Sequence, residues 1–280
     1  NRLVSGRDGN APLPCATCTT GTTAQRRPLY PNFERVTLIE PVGKSYYHSM
    51  QLTAERRFTD GLSIMTNYTW SKVIDNNQGS ANKATGVSVT NPLNQRHDRG
   101  LADYDKPHVF NFSALWELPI RFDNSTTQTI LGGWNVTSIV SLYSGYPFSV
   151  YSGVDNARTG QGGQRADITG NPDLGDDRDR GAIVAEYLDK DAFSPNDLGA
   201  YGTQGRNTFR SPGYANVDLG IHKQFAVAEE MNIEFRFEMF NAFNRVNLRG
   251  PTTSLTSGNF MRITSASDPR ILQFALRFVF

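Results

Sequence analysis

Large apolar and polar side chains alternate with a period of two along seven stretches of this chain. The last is the clearest. Leu272, Phe274, Leu276, Phe278 and Phe280 share one face, and Ile271, Gln273, Ala275, Arg277 and Val279 share the other. Such alternation predicts a strand with one apolar and one polar side. Residues 45–58 set Tyr46, His48, Met50, Leu52, Ala54 and Phe58 against Tyr47, Ser49, Gln51, Thr53, Glu55 and Arg57. Thr59-Asp60-Gly61 reads as a three-residue hairpin loop leading into residues 62–73. Pairing Phe58 with Leu62 then aligns Leu52 with Tyr68, Met50 with Trp70 and Thr53 with Asn67. Apolar meets apolar and polar meets polar, as one sheet face requires. Residues 108–118 place Phe110, Phe112, Ala114 and Trp116 against Asn111, Ser113 and Glu117. Residues 134–150, 214–225 and 232–244 repeat the pattern. Ile139 and Tyr143 interrupt the polar side of the first of these.

The connections alternate in length. Those at 59–61, 119–132 and 226–231 are short, and those at 75–106, 151–212 and 245–268 are long. A soluble sandwich has no reason to sort its loops by end, whereas an outer-membrane barrel has short periplasmic turns and long extracellular loops. Aromatic residues sort the same way. Phe58, Trp116, Trp134, Phe225 and Phe280 fall at the short-turn end, and Tyr46, Tyr68, Trp70, Phe110, Tyr146 and Phe243 at the other. Two girdles suit a bilayer-spanning wall. The predicted fold is therefore all-β, an antiparallel up-and-down transmembrane β-barrel segment of about seven strands with long extracellular loops. Arg56 and Lys223 are exceptions on the apolar face, expected to snorkel to headgroups near the short turns.

Composition alone would conceal this. Of the 280 residues 38% are hydrophobic, and no run of about 18 apolar residues exists to form a membrane helix. A barrel strand needs only every second residue to be apolar. The net charge of +1 gives no electrostatic case for nucleic acid. Residues 1–44 carry Pro12, Pro14, Pro28, Pro31 and Pro41 and read as extracellular loop, with a short extended piece at 36–39. The barrel part is then 45–280. The chain begins at Asn1 without a signal peptide, so we expect it to be the C-terminal piece of a longer exported protein. Cys15 and Cys18 cannot complete a zinc site alone; they read as a small loop disulfide, with unpaired thiols as the alternative. The 171–181 stretch gathers Asp173, Asp176, Asp177 and Asp179 without calcium-loop spacing. It reads as solvated loop neutralised by Arg178 and Arg180.

The terminal strand, ending in Phe280, resembles the assembly signal of outer-membrane barrels, which implies the barrel assembly machinery and outer-membrane lipid as partners. Ser45-Tyr46-Tyr47-His48-Ser49-Met50-Gln51-Leu52, Arg56-Arg57-Phe58-Thr59-Asp60-Gly61-Leu62 and Asn67-Tyr68-Thr69-Trp70-Ser71-Lys72 look like barrel strands of TonB-dependent receptors. Asp103-Tyr104-Asp105-Lys106-Pro107-His108, Tyr143-Ser144-Gly145-Tyr146-Pro147, Arg210-Ser211-Pro212-Gly213-Tyr214 and Glu238-Met239-Phe240-Asn241-Ala242-Phe243-Asn244-Arg245 are similar to the Oar-like group of that family. That group carries a carboxypeptidase-regulatory-like N-terminal domain. Each motif is short, and their order over 45–280 makes the set specific. The resemblance implies a barrel of about 22 strands, filled by a plug domain and driven by the TonB complex through an N-terminal box. Plug, box and most strands lie outside this sequence.

The functional expectation is the C-terminal part of a TonB-dependent transporter for a substrate too large for porins. An outer-membrane adhesin or secretion barrel and a secreted glycan-binding β-sandwich are the alternatives. No enzyme or cofactor is expected, since His48, His97, His108 and His222 lack metal spacing and no nucleophile motif is present. On the polar face His222, Glu234, Arg236, Glu238, Gln273 and Arg277 are expected to form a cross-strand ladder facing the lumen.

Overall fold

The computed structural model describes residues 3–18, 26–76, 89–175, 177–228 and 231–280. The first strand, β1 (Leu3–Asp8), pairs antiparallel with β2 (Thr37–Gly43). The extended piece expected at 36–39 falls within β2, while the loop expected around it is corrected at β1. Pro41 sits where the register shifts, a position at which its missing N–H costs no ladder bond. Next come β3 (Ser45–Thr59), β4 (Leu62–Asp75), the two-residue β5 (Gly100–Leu101), β6 (His108–Glu117), helix α1 (Ser125–Leu131) and β7 (Trp134–Tyr143). The pieces β8 (Pro147–Phe148), β9 (Asp167–Ile168), helix α2 (Arg180–Ala185), β10 (Phe193–Ser194) and β11 (Phe209–Arg210) follow. The chain closes with β12 (Tyr214–Ala228), β13 (Met231–Phe240) and β14 (Ile271–Val279).

The seven long strands form one antiparallel sheet in the order β14-β13-β12-β7-β6-β4-β3, each beside its sequence neighbour, with β5 against β4. Directly paired residues point to the same side of a sheet, so the registers sort whole rows. Trp116, Val136, Ile221, Phe237 and Phe274 make one apolar row. Glu117, Asn135, His222 and Arg236 make a polar one on the other face. The alignment of Leu52 with Tyr68, Met50 with Trp70 and Thr53 with Asn67 is present. Strands β3 and β14 are the two ends of the sheet order.

Two local features differ from expectation. Thr59 pairs with Leu62, so the first hairpin turns on two residues, Asp60 (φ 51°) and Gly61 (φ 74°). Asp-Gly suits a primed turn, and a bulge between Arg56 and Thr59 absorbs the extra residue and removes the Phe58–Leu62 pair. The fourth long strand stops at Tyr143 instead of running to 150. A Cβ at Gly145 would stand 1.7 Å from the carbonyl oxygen of Ser211. That crossing turns the chain so that β8 pairs with β11.

The buried apolar core is not behind the sheet. Val150, Ala166, Ala192, Phe193 and Met261 pack together within the long connections, with Phe148, Phe209 and Phe260 around them. The sheet's apolar face stays uncovered: Phe274 is 67% exposed and Leu276 64%. A sandwich would cover that face with a second sheet, and a patch of this size in water is an aggregation hazard. The 151–212 connection, expected as solvated loop, is instead a folded cap. Among the described residues Arg178 forms no ion pair with the acidic stretch. It donates to the carbonyls of Gly175, Glu186 and Tyr187. Asp179 caps α2 through the amide of Ala182, and Asp173 accepts from the amide of Gly175. Asp176 lies outside the described residues, as do Glu229 and Glu230 of the last short turn.

Candidate functional site: the polar face and its cap

The candidate site has two parts, the sheet's polar face and the cap formed by the long connections. On the face, Arg236 donates to Glu238 at 2.9 Å and stands 3.9 Å from Glu234, both on its own strand. Arg277 reaches Glu234 across the β13–β14 pair at 3.9 Å. The expected cross-strand ladder is therefore mostly an along-strand cluster, because the register puts Ala275 opposite Arg236 and Gln273 opposite Glu238. His222 pairs with Arg236 in register, yet its Nε2 bonds the Thr137 hydroxyl at 3.1 Å. Gly220 makes that possible, since a Cβ there would lie 2.5 Å from the imidazole.

Three arginines of the 151–212 connection reach back to aspartates of the 75–106 connection. Arg165 pairs with Asp98 at 2.8 Å, and both are 1% exposed. Its other donors meet the carbonyls of His97 (2.7 Å) and Gln204 (2.8 Å) and the Thr90 hydroxyl. Asp98 also accepts from the amide of Thr90 at 2.8 Å. Arg206 pairs with Asp75 and with Asp103, the latter at 3.2 Å. Arg210 pairs with Asp105, whose other oxygen accepts from the amide of Val73 at 2.6 Å. A buried charge is tolerable only when paired and hydrogen-bonded, and these groups are. The two connections are thus one layer. The N-terminal segment joins it through Gln161 Nε2 to Asp8 (3.2 Å) and the amide of Cys15 to the carbonyl of Ala157 (3.3 Å). Cys15 and Cys18 are joined by a disulfide.

Arg165 and Arg206 carry no signal in the sequence, and Arg210, like Asp103 and Asp105, enters it only within a family motif, without a sign that these residues pair. A cavity of about 740 Å³ opens where β6, β7 and β12 meet the cap; His108, Phe110 and Leu142 of the apolar face are among its walls, with Tyr143, Arg178 and Arg210. Tyr143 and Tyr214 stack at 4.6 Å, and Lys106 Nζ lies 3.8 Å from the Tyr143 ring centre. No cluster of metal-ligating side chains occurs among the described residues.

Burial of the His97 ring holds its pKa below the usual histidine value, and the Arg165 charge acts the same way; Asp98 opposes them. Its Nε2 has no hydrogen-bond partner, and Tyr201 packs against the ring at 5.5 Å. A lowered pKa means that the unfolded chain takes up the proton first. Stability of the cap should therefore be full above about pH 6.5 and fall as the pH drops below that value. Amide exchange at 90–98, compared between pH 7.5 and pH 5, should show the loss, and His97→Gln should flatten it.

On the apolar face, His108 finds the Tyr68 hydroxyl at 2.8 Å. Leu272, Phe274, Leu276 and Phe278 pair with Met239, Phe237, Phe235 and Ile233 in turn, and Phe280 follows the strand. Lys223 corrects the snorkelling expectation. It is buried, and its Nζ donates to the carbonyls of Ile130 and Gly132 at the end of α1. Arg56 is half exposed and donates to the carbonyl of Thr59.

A family model described as outer membrane beta barrel domain matches residues 1–273. The chain belongs to that family. Its place is the bacterial outer membrane, with the uncovered apolar face toward lipid and the polar face inward. Membership sets aside the secreted sandwich. No curated protein matches the chain. Among solved structures it is similar to the ferric-catecholate import receptor Fiu of E. coli K12 in its closed form. Identity is 14% and the TM-score 0.38, over 87% of this barrel chain and 22% of the receptor. The chain thus spans about a fifth of that receptor's length.

Proposed function

We propose that this chain is the C-terminal barrel portion of a TonB-dependent outer-membrane transporter of the Oar-like group, taking up a substrate too large for porins. The ordered motifs over 45–280 support the group. The observation that carries the reading is the cap. A wall that served only as an anchor would not need to bury Arg165 against Asp98 above its polar face. A ligand captured from outside needs a shaped, rigid mouth, and the buried ion pairs between the two long connections would hold one in place. The polar cluster around Arg236 would face a plug domain supplied by an upstream part of the same protein, and a box further upstream would engage the TonB complex. The role is transport, without catalysis or cofactor.

The test is uptake by cells carrying the full-length protein, with and without TonB and with a protonophore. Accumulation that stops when either TonB or the proton gradient is removed supports the reading. An upstream sequence without plug and box, together with cell adhesion or secretion lost on deletion, would favour an adhesin or secretion barrel.

Arg236 separates rigidity from gating. It is 43% exposed, and an ion pair so hydrated contributes only about 0–1 kcal/mol. Arg236→Met should therefore leave the melting temperature of the folded barrel nearly unchanged. Lost or leaky uptake at that unchanged stability assigns the cluster to the plug; normal uptake with a lower melting temperature assigns it to the wall.

A further inference from the structure

Helix α1 stands outside the barrel wall. The carbonyl of Ile130 accepts from Trp134 Nε1 at 3.3 Å and from Lys223 Nζ at 3.1 Å. Trp134 and Lys223 are partners across β7 and β12, and Phe235 continues their row on the apolar face. The Trp134 and Phe235 rings meet edge to face at 5.9 Å. The end of α1 is therefore fastened to the lipid-facing side, not to the lumen. Lys223 is only 3% exposed because the helix covers it, and its charge meets the carbonyls that a helix end leaves open. Asn124 closes the other end, accepting from the amides of Thr126 and Thr127.

Large apolar groups remain uncovered beside polar ones such as Ser125, Thr126 and Thr129. Ile130 is 56% exposed, Leu131 51%, Ile120 43% and Phe122 37%. A turn directed only at water would gain nothing from four such groups, whereas the interfacial zone of a bilayer takes them up. Arg121 and Asp123 offset one another in charge, so the attraction is hydrophobic.

We infer that the 119–132 connection is an interfacial foot, seated in the phospholipid of the periplasmic leaflet and pinned to the barrel by Lys223. The inference rests on the reading that the short turns lie on the periplasmic side. Its occupant is lipid because the foot continues the lipid-facing wall without a break at Trp134.

The experiment uses the full-length receptor, free of other thiols, in vesicles of phosphatidylethanolamine and phosphatidylglycerol with brominated acyl chains. An environment-sensitive fluorophore is placed singly at Leu131→Cys, at Phe274→Cys on the wall and at Asp60→Cys in another short turn. The Leu131 probe should be quenched by shallow bromines, at a depth of about 5–10 Å into the headgroup–acyl boundary. The Phe274 probe should sit deeper, and the Asp60 probe should answer to aqueous iodide. Adding Lys223→Met should move the Leu131 probe toward the Asp60 behaviour and leave the Phe274 probe where it was. A Leu131 probe that matches Asp60 with Lys223 in place overturns the foot, whether or not the Lys223 variant folds. Protection from both lipid and iodide means that a protein partner covers the site, which also overturns it. A Leu131 probe unmoved by Lys223→Met in a folded barrel removes the pin. A Phe274 probe that does not sense lipid means that the membrane reading itself fails. Reaction of Asp60→Cys with an impermeant reagent from outside intact cells means that the sidedness does.

Discussion

Arg165→Met should loosen the extracellular cap while leaving the barrel wall folded. The substitution leaves Asp98 buried at 1% exposure with its cationic partner gone. Breaking a buried pair from one side costs about 3–5 kcal/mol. The same change frees the carbonyls of His97 and Gln204, which Arg165 now ties to the 75–106 and 151–212 connections. Amide exchange should accelerate through residues 90–105 and 150–206 and stay slow in β12 and β13. Asp98→Asn in the same chain should recover part of the loss, because the remaining buried group is then neutral. Equal exchange in both proteins would mean that the pair contributes nothing to the cap.

The second large effect concerns which side of β14 meets lipid. Phe274 lies in the row Trp116–Val136–Ile221–Phe237–Phe274 and stacks on Phe237 at 4.5 Å. Gln273, one residue away, points to the polar side opposite Glu238. Phe274→Arg should destabilise the folded barrel in lipid by about 2–4 kcal/mol, the range for a cation near the bilayer midplane, and Gln273→Arg should cost little. Urea unfolding in bilayers measures both. Similar costs at the two positions would remove the assignment of faces.

The wall was legible in the sequence because lipid imposes a strict rule on it. Alternation puts Met50 and Trp70 on one face, and their pairing, read from a three-residue turn, survives because the bulge before Thr59 absorbs the residue by which the turn is shorter. The cap follows no such rule. Its interior is held by Arg165, Asp98, Gln204 and Asn196, which read as surface residues in any windowed view. The apolar cluster among its described residues draws Val150, Phe193 and Met261 from separate stretches, without a period to reveal them. Lys223 was misread for a related reason. Its partners, the carbonyls of Ile130 and Gly132, lie far back along the chain, in a connection read as plain turn. The polar cluster was found by residue and missed in geometry. Alternation puts Arg236 and Glu238 on one face, while the residue opposite Arg236 depends on a register that only the folded sheet supplies.

The pairing of Asp75 with Arg206 spans 131 positions of the chain, and that of Asp98 with Arg165 spans 67. The strands of the wall, by contrast, join neighbours in sequence. Contacts between distant segments form late, after the ends have been brought together. The wall can therefore zip up hairpin by hairpin, while the cap must wait for Arg165 and Arg206 and, for its apolar core, for Met261 beyond β13. During that interval Arg206 and Asp75 are both hydrated, and the 75–106 connection is open to surface proteases. Resistance to proteolysis at 89–106 should then appear late in biogenesis, a mark that the chain as far as the 245–268 connection has been correctly installed.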